Sequence, residues 1–425
     1  MGSADRVSQA REYPLIVEKD VLILLRDGGT VCADIYRPDC GSERVPAIAN
    51  ISVYQKDKLW IPPKDLEEAP NPYMNWETAN PLWWCPRGYA LVRIDARGSG
   101  KSPGRSEPSS YQESLDFYDA IEWIAKRPWC SGNIGTLGIS YHAASQWRLA
   151  NLQPPSLKCI LPWEGRADQY RDQAYHGGIF SIGFMSNWYS RETGNQVLGR
   201  ARSYNPDAFN NNLLWEYMSH DLDSEYWRQM SARWDRITMP VFTAGNWSGY
   251  SLHLRGNTEA FMCAASPHKK LRIHSGTHFH AFHSEEGRID QLRWLDHWLK
   301  GIDTGIMEEP PVKLLIRKGG KDNHRWRFEK EWPLARTQWT RMYLRTERAR
   351  SDNPDAVEGS LTTEKPAKAG SLGYEASVSH GLHSAHRLGI TFETAPMKKD
   401  TEITGPVCST YGCRAPRRTP TCSFP

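Results

Sequence analysis

The stretch from Asn133 to Leu149 constrains this chain more than any other part of it. A short apolar run ends in Gly138-Ile139-Ser140, and Tyr141-His142-Ala143-Ala144 opens a helical pattern with no loop between. A strand that enters a helix through one residue must turn sharply, so that residue takes a strained backbone and its neighbours must be small. Gly138 fills the slot before the serine. His142 stands where the Gly-x-Ser-x-Gly pattern has its second glycine, so Ala143 or Ala144 must fill the other slot. A turn of this kind lifts the serine hydroxyl clear of the sheet edge, as a nucleophile requires; the plainer alternative is a serine that only caps the helix.

The surrounding pattern supplies the sheet. Val21 to Leu24, the turn Arg26-Asp27-Gly28-Gly29 and the alternation through Ile35 predict an opening hairpin. Apolar runs at Ala47–Ile51 and Ala90–Ile94 read as strands covered on both faces, and Asn133–Gly138, Leu157–Pro162, Pro240–Ala244 and Lys270–His274 as further strands. Helical spacing predicts helices over Gln112–Arg127 and Glu285–Lys300, the second closed by Gly301. Strands alternating with helices predict an α/β fold with a mostly parallel, doubly wound sheet. Its core is expected at 15–165 and 233–305. Residues 166–232, rich in Tyr and Trp, break the alternation and read as a helical cap over the sheet's carboxyl edge. Beyond Pro310-Pro311 the β-like pieces Val312–Ile316, Thr340–Leu344 and Leu388–Phe392 predict a separate β domain, placed at 309–407.

Composition removes several classes of function. With 53 basic and 49 acidic residues interspersed, no basic groove for nucleic acid is expected. No apolar run reaches the roughly 18 residues of a membrane span, and the first residues carry no leader pattern, so a soluble, cytoplasmic protein is expected. Nine cysteines without CxxC spacing predict neither a zinc site nor a disulfide framework. The 18 Trp suggest aromatic cores or aromatic-walled pockets.

Taken together, the motifs in order resemble the cocaine-esterase-like (CocE/NonD) hydrolases, relatives of the X-prolyl dipeptidyl-peptidases. The residues that carry the likeness are Arg26-Asp27-Gly28, Tyr36-Arg37-Pro38, Asp95-Ala96-Arg97-Gly98, Trp129-Cys130, Gly138-Ile139-Ser140-Tyr141, Gln146-Trp147, Leu299-Lys300-Gly301, Pro310-Pro311-Val312 and Phe392-Glu393-Thr394-Ala395-Pro396. The resemblance implies an α/β-hydrolase core, an inserted cap, a C-terminal jelly roll, and hydrolysis of an ester or amide through an acyl-enzyme.

Acyl transfer needs an oxyanion hole, for which the Tyr141 N–H follows the nucleophile. The resemblance implies a tyrosine hydroxyl as second donor, and Tyr54 stands at that place; otherwise Tyr54 is an ordinary aromatic at a strand end. The base must be a histidine late in the chain, and His274, His278, His280 and His283 compete; the family's motif aligns with His278. A metal held by the histidine cluster is the other use of such spacing, but Ser275-Gly276 predicts a loop and no HExxH glutamate is present, so no metal and no cofactor are expected. The acid departs from the family pattern, since Ser248 stands where its Asp is expected and Asn246 offers no carboxylate either. Glu164, ending the strand after the nucleophile helix, is expected to take the acid's part, with Asp168 a weaker substitute; alternatively Glu164 is a structural carboxylate paired with Arg166 or Arg171.

The expected partner is a small ester or amide substrate, with a homo-oligomer possible. Two alternatives stand beside the esterase. An X-Pro-type aminopeptidase would place carboxylates for a substrate's α-amino group, and a degenerate, non-catalytic member would fit the missing Asp. Residues 408–425 lack alternation and mix Cys, Arg, Pro and Thr, so they read as an irregular or aberrant tail on a truncated β domain.

Overall fold

The computed structural model describes residues 6–58, 62–75, 77–190, 213–249, 251–319, 323–347, 357–373 and 390–409. Parts of the expected cap, the start of the Leu388 strand and most of the expected tail lie outside these residues.

The opening hairpin forms as expected, β1 (Leu15–Leu24) pairing antiparallel with β2 (Thr30–Pro38). The apolar runs become β3 (Val45–Ser52), β4 (Ala90–Asp95), β5 (Cys130–Ile139) and β6 (Leu157–Trp163). A two-residue hairpin, β7 (Tyr175–His176) with β8 (Ile179–Phe180), follows in the aromatic stretch. Then come β9 (Val241–Asn246), β10 (Lys269–His274), β11 (Val312–Arg317) and β12 (His324–Glu329). One ten-stranded sheet runs in the order β1-β2-β4-β3-β5-β6-β9-β10-β11-β12. From β4 to β11 neighbours are parallel, and the two ends are antiparallel. The sheet is therefore mixed, with the expected parallel arrangement at its centre.

Buried alternation explains why these segments are strands. Along β3, Ala47, Ala49 and Ile51 enter one apolar core while Ile48 enters the other. On β5, Ile134 faces the first core and Leu137 and Ile139 the second. The period of two with both faces apolar is what helices on each side of a sheet demand. The helix Tyr111–Ala125 brings Phe117, Ala120, Ile121 and Ile124 to the first face, and Glu285–Lys300 brings Trp294, Leu295 and Leu299 to the second. Ser110 and Ser284 cap these helices by accepting from the backbone N–H of Glu113 and Gly287, and Gly301 closes the second in the left-handed region at φ 68°.

The sheet continues past Pro310-Pro311. β11 pairs parallel with β10, and β12 pairs antiparallel with β11, so Val312–Ile316 extends the core sheet although the sequence places it in a second unit. The apolar residues Val312 and Leu314 find Leu271 and Ile273 as partners, which accounts for the difference. A separate three-stranded sheet follows, made of β13 (Tyr343–Arg345), β14 (Val357–Thr362) and β15 (Ile390–Glu393). Among the described residues no helix is long and apolar enough to cross a membrane.

Parallel strands place their carboxyl ends on one edge. β3 leads to β4 on one side and β5 on the other, so the winding reverses there, and β5, β6, β9 and β10 deliver their following residues beside that point.

Candidate active site

Ser140 sits at φ 56°, ψ −110° between β5 and the helix Tyr141–Asn151. A non-glycine residue held there costs about 1–3 kcal/mol, which the packing around it must offset. That packing is tight on both sides. A Cβ on Gly138 would lie 2.5 Å from the His142 Cβ, and one on Gly165 would lie 2.5 Å from the Ala143 Cβ. Ala143 is thus the second small neighbour, facing a glycine across the turn, and the bulk of His142 goes to Gly138's side. Glu77, at φ 65°, and Glu164, at φ 47°, are strained in the same way, and Glu77 takes a hydrogen bond from the Ser140 side chain. The Glu77 carbonyl also accepts from the Ile139 N–H at 3.1 Å.

The serine hydroxyl lies 3.2 Å from His253 Nε2. His253 was not among the histidines the sequence singled out. It precedes the helix Leu254–Cys263, which follows β9, so its position after a strand's carboxyl end was the available signal. His278 lies beside it, the two rings 5.1 Å apart and within 11° of parallel. His278 makes the contact expected with the acid, since its Nδ1 is 2.7 Å from Glu164 Oε2, but its Nε2 faces Glu77 Oε1 at 3.3 Å. Glu77 is the second residue that sequence reasoning missed, and it lies outside any helix or strand, where no pattern marks it. The other candidates are placed elsewhere: His280 meets the Asp65 carbonyl, and His283 meets Glu68.

Glu164 is 2% exposed and engaged on both oxygens. His274 Nε2 lies 2.8 Å from Oε1, and Asn246 Nδ2 donates to the same oxygen at 3.1 Å. The pairings with Arg166 or Arg171 that the sequence allowed are not made. Arg166 bonds to Gln169 and Ser109, and Arg171 pairs with Asp168 and Asp223. Asp168 is thereby occupied at the start of the turn Gln169–Ala174. Ser248 donates its N–H to Asn246 Oδ1 and brings no charge. At the next residue, a Cβ on Gly249 would lie 3.6 Å from Glu164 Oε2. The Glu164 carboxylate, from the end of β6, thus lies beside the loop that follows β9, the neighbouring strand.

Tyr54 is buried, with its ring edge against Tyr141 at 5.6 Å, and its hydroxyl accepts from Trp188 Nε1 at 2.8 Å. The Tyr141 side chain turns away, its hydroxyl donating to Glu113 and accepting from the Ser109 N–H, while its backbone N–H donates to Glu77.

Burial and charge set the protonation states. Burial alone would lower the pKa of His278, but hydrogen bonds to Glu164 and then Glu77 override it and raise it to about 10. Burial would raise the Glu164 pKa, and the bonds from His274 and His278 instead hold it well below the usual carboxylate range. Glu77 is raised, because burial outweighs the help of His278, the Ser140 hydroxyl and the Tyr141 N–H. His253 is lowered to about 3, first by burial and then by the neighbouring His278 charge. These shifts favour a charged His278 against Glu164 and a neutral His253 on the serine.

Glu164, His253 and His278 hold ligand-capable atoms within 4.8 Å of one another. The geometry suits a proton better than a metal. His278 Nδ1 and Glu164 are already at hydrogen-bond distance, and a metal must lie in the plane of each imidazole it binds, near 2.0–2.2 Å.

The description X-Pro dipeptidyl-peptidase (S15 family) matches residues 27–280, a stretch holding Glu77, Ser140, Glu164, His253 and His278. This chain belongs to the S15 family. The X-Pro dipeptidyl-peptidase C-terminal non-catalytic domain matches residues 304–408. Among S15-related proteins, the chain is 25% identical over 381 residues to a cocaine esterase from Rhodococcus, covering 77% of this chain and 62% of that one. A CocE/NonD family hydrolase from Staphylococcus aureus is 32% identical with a TM-score of 0.70, covering 78% of this chain and 59% of that one. An aminopeptidase from a marine sediment archaeon, 17% identical over 88% of this chain and 65% of that one, shares the fold at a TM-score of 0.58. The CocE/NonD resemblance read from the motifs is thus shown. The chain spans about three fifths of the length of the cocaine esterase and of the staphylococcal hydrolase.

Proposed function

We propose that this S15-family chain is a serine hydrolase that cleaves a carboxylic ester or amide through an acyl-enzyme. The observation that carries the reading is a strained elbow serine whose hydroxyl lies 3.2 Å from His253, with His278 stacked on that ring and held by buried Glu164 at 2.7 Å. Ser140 attacks the carbonyl carbon, His278 moves the proton, Glu164 orients His278, and Tyr54 with the Tyr141 N–H receives the oxyanion. A carbonyl entering beside the Tyr141 N–H takes space that Glu77 borders. Loss of Glu77's contact lowers the pKa of His278 toward the range where it accepts a proton.

The 3.2 Å contact favours a second reading of the base, in which neutral His253 takes the proton directly. His278→Gln and His253→Gln separate the two. Under the first reading His278→Gln loses at least about a thousandfold in turnover and His253→Gln about tenfold or less; under the second the order reverses.

The aminopeptidase alternative is not better supported: among the described residues, the carboxyl groups of Glu77 and Glu164 are engaged by His278. A cap over 166–232 is supported by Trp188, which reaches the Tyr54 hydroxyl. A partial jelly roll is supported by the C-terminal domain match and by the β13-β14-β15 sheet. Labelling with a fluorophosphonate tests the whole reading: the folded protein should label, and Ser140→Ala should not. A folded protein that never labels would sink it.

A further inference from the structure

Arg166 is 5% exposed, and no described carboxylate lies within ion-pair reach of it. Its Nε donates to Gln169 Oε1 and its Nη2 to Ser109 Oγ, each at 2.9 Å, so both partners are neutral. Three other buried arginines have a carboxylate, and a fourth, Arg93, has neutral partners as Arg166 does. Arg148 faces Glu113, Arg272 faces Asp290, Arg293 faces Glu309, and Arg93 donates to two backbone carbonyls. Burying a cation against neutral partners is unfavourable, and a fold that keeps one usually has a use for the charge.

The surroundings indicate the use. The Arg166 guanidinium lies 5.4 Å from the centre of the Tyr141 ring. Its partner Ser109 donates its N–H to the Tyr141 hydroxyl, which in turn donates to Glu113. That carboxylate, Glu113, is paired with Arg148. Arg166 also acts electrostatically on Tyr54 and on His253. Its neighbours are therefore the residues expected to receive an oxyanion and to contact Ser140.

We propose that Arg166 is a positioning residue for acyl transfer: it braces Tyr141 so that its N–H faces Ser140, and its unbalanced charge favours the anionic tetrahedral state. The proposal rests on the acyl-enzyme reading. An interaction stronger in the anionic state than with the neutral substrate lowers the barrier without tightening substrate binding.

The test uses the full chain, a neutral p-nitrophenyl ester and an alkyl boronic acid, which forms a tetrahedral anion on the serine. Active sites are counted by fluorophosphonate labelling, so that only folded enzyme enters the rate. Arg166→Met should lower kcat about 10–100-fold with KM within about threefold, and weaken boronate binding by the same factor as kcat/KM. Arg166→Lys should recover most of the loss. Gln169→Glu covers the case in which Arg166→Met does not fold, since it gives the arginine a carboxylate and leaves the fold in place. It should lower kcat about fivefold or more without lowering Tm. A purely structural Arg166 predicts the opposite, unchanged kcat and boronate affinity in Gln169→Glu, and that result overturns the proposal. Turnover that survives Ser140→Ala would instead overturn the acyl-enzyme reading, and the proposal with it.

Discussion

His278 and Glu77 face each other across 3.3 Å, so the imidazole that Glu164 holds from one side is closed by a second buried carboxylate on the other. The consequence is a histidine that stays protonated through neutral pH, its pKa raised to about 10 by these bonds against the effect of burial. Glu77→Gln removes one of the two carboxyl partners. The rising limb of kcat/KM against pH should then move down by at least about one pH unit, with a gain in kcat/KM at pH 7. A limb that stays in place would remove Glu77 from control of His278.

The same pair makes stability depend on pH. A histidine whose folded pKa lies above its unfolded value near 6.5 stabilises the fold fully below that value. The contribution is then lost as pH rises through about 10. Tm should fall between these limits, and His278→Gln should flatten that part of the profile.

Glu164 lies beside the Gly249 position and holds His278 with its carboxylate. Glu164→Gln should reduce turnover by about 10³ to 10⁴, as loss of an orienting carboxylate does. Adding Gly249→Asp in that background should restore at least about tenfold, because the new side chain starts 3.6 Å from the vacated oxygen. Steady-state kinetics of the single and double variants decide it. No recovery would mean that Glu164 acts from a position an aspartate at 249 cannot reproduce.

The elbow should be intolerant of a single methyl group. Gly165→Ala sets two Cβ atoms 2.5 Å apart, at 165 and 143, and neither can rotate away. A loss of about 1–3 kcal/mol in unfolding free energy is expected from urea titration. Gly165→Ala combined with Ala143→Gly should recover much of it.

The parts of this protein legible in its sequence are those that short-range physics decides. Strand and helix order, the helix ends at Ser284 and Gly301, and the serine elbow follow from local periodicity, capping and the need for small neighbours. Glu164 could be proposed because it ends the strand after the nucleophile helix, keeping the order of serine, acid and histidine. The rest needed the tertiary structure. Ser140 and His253 are 113 residues apart, Glu164 and His278 are 114 apart, and Glu77 and His278 are 201 apart. These meetings depend on β6, β9 and β10 being neighbours in register and on a loop with no periodic pattern. Continued pairing of β11 on β10 was also hidden, since an apolar strand does not state which edge it joins. The sequence alone determined which residue is the strained serine; the packing of distant strand ends decided that His253 touches it, that Glu164 holds His278, and that Glu77 closes His278 from the other side.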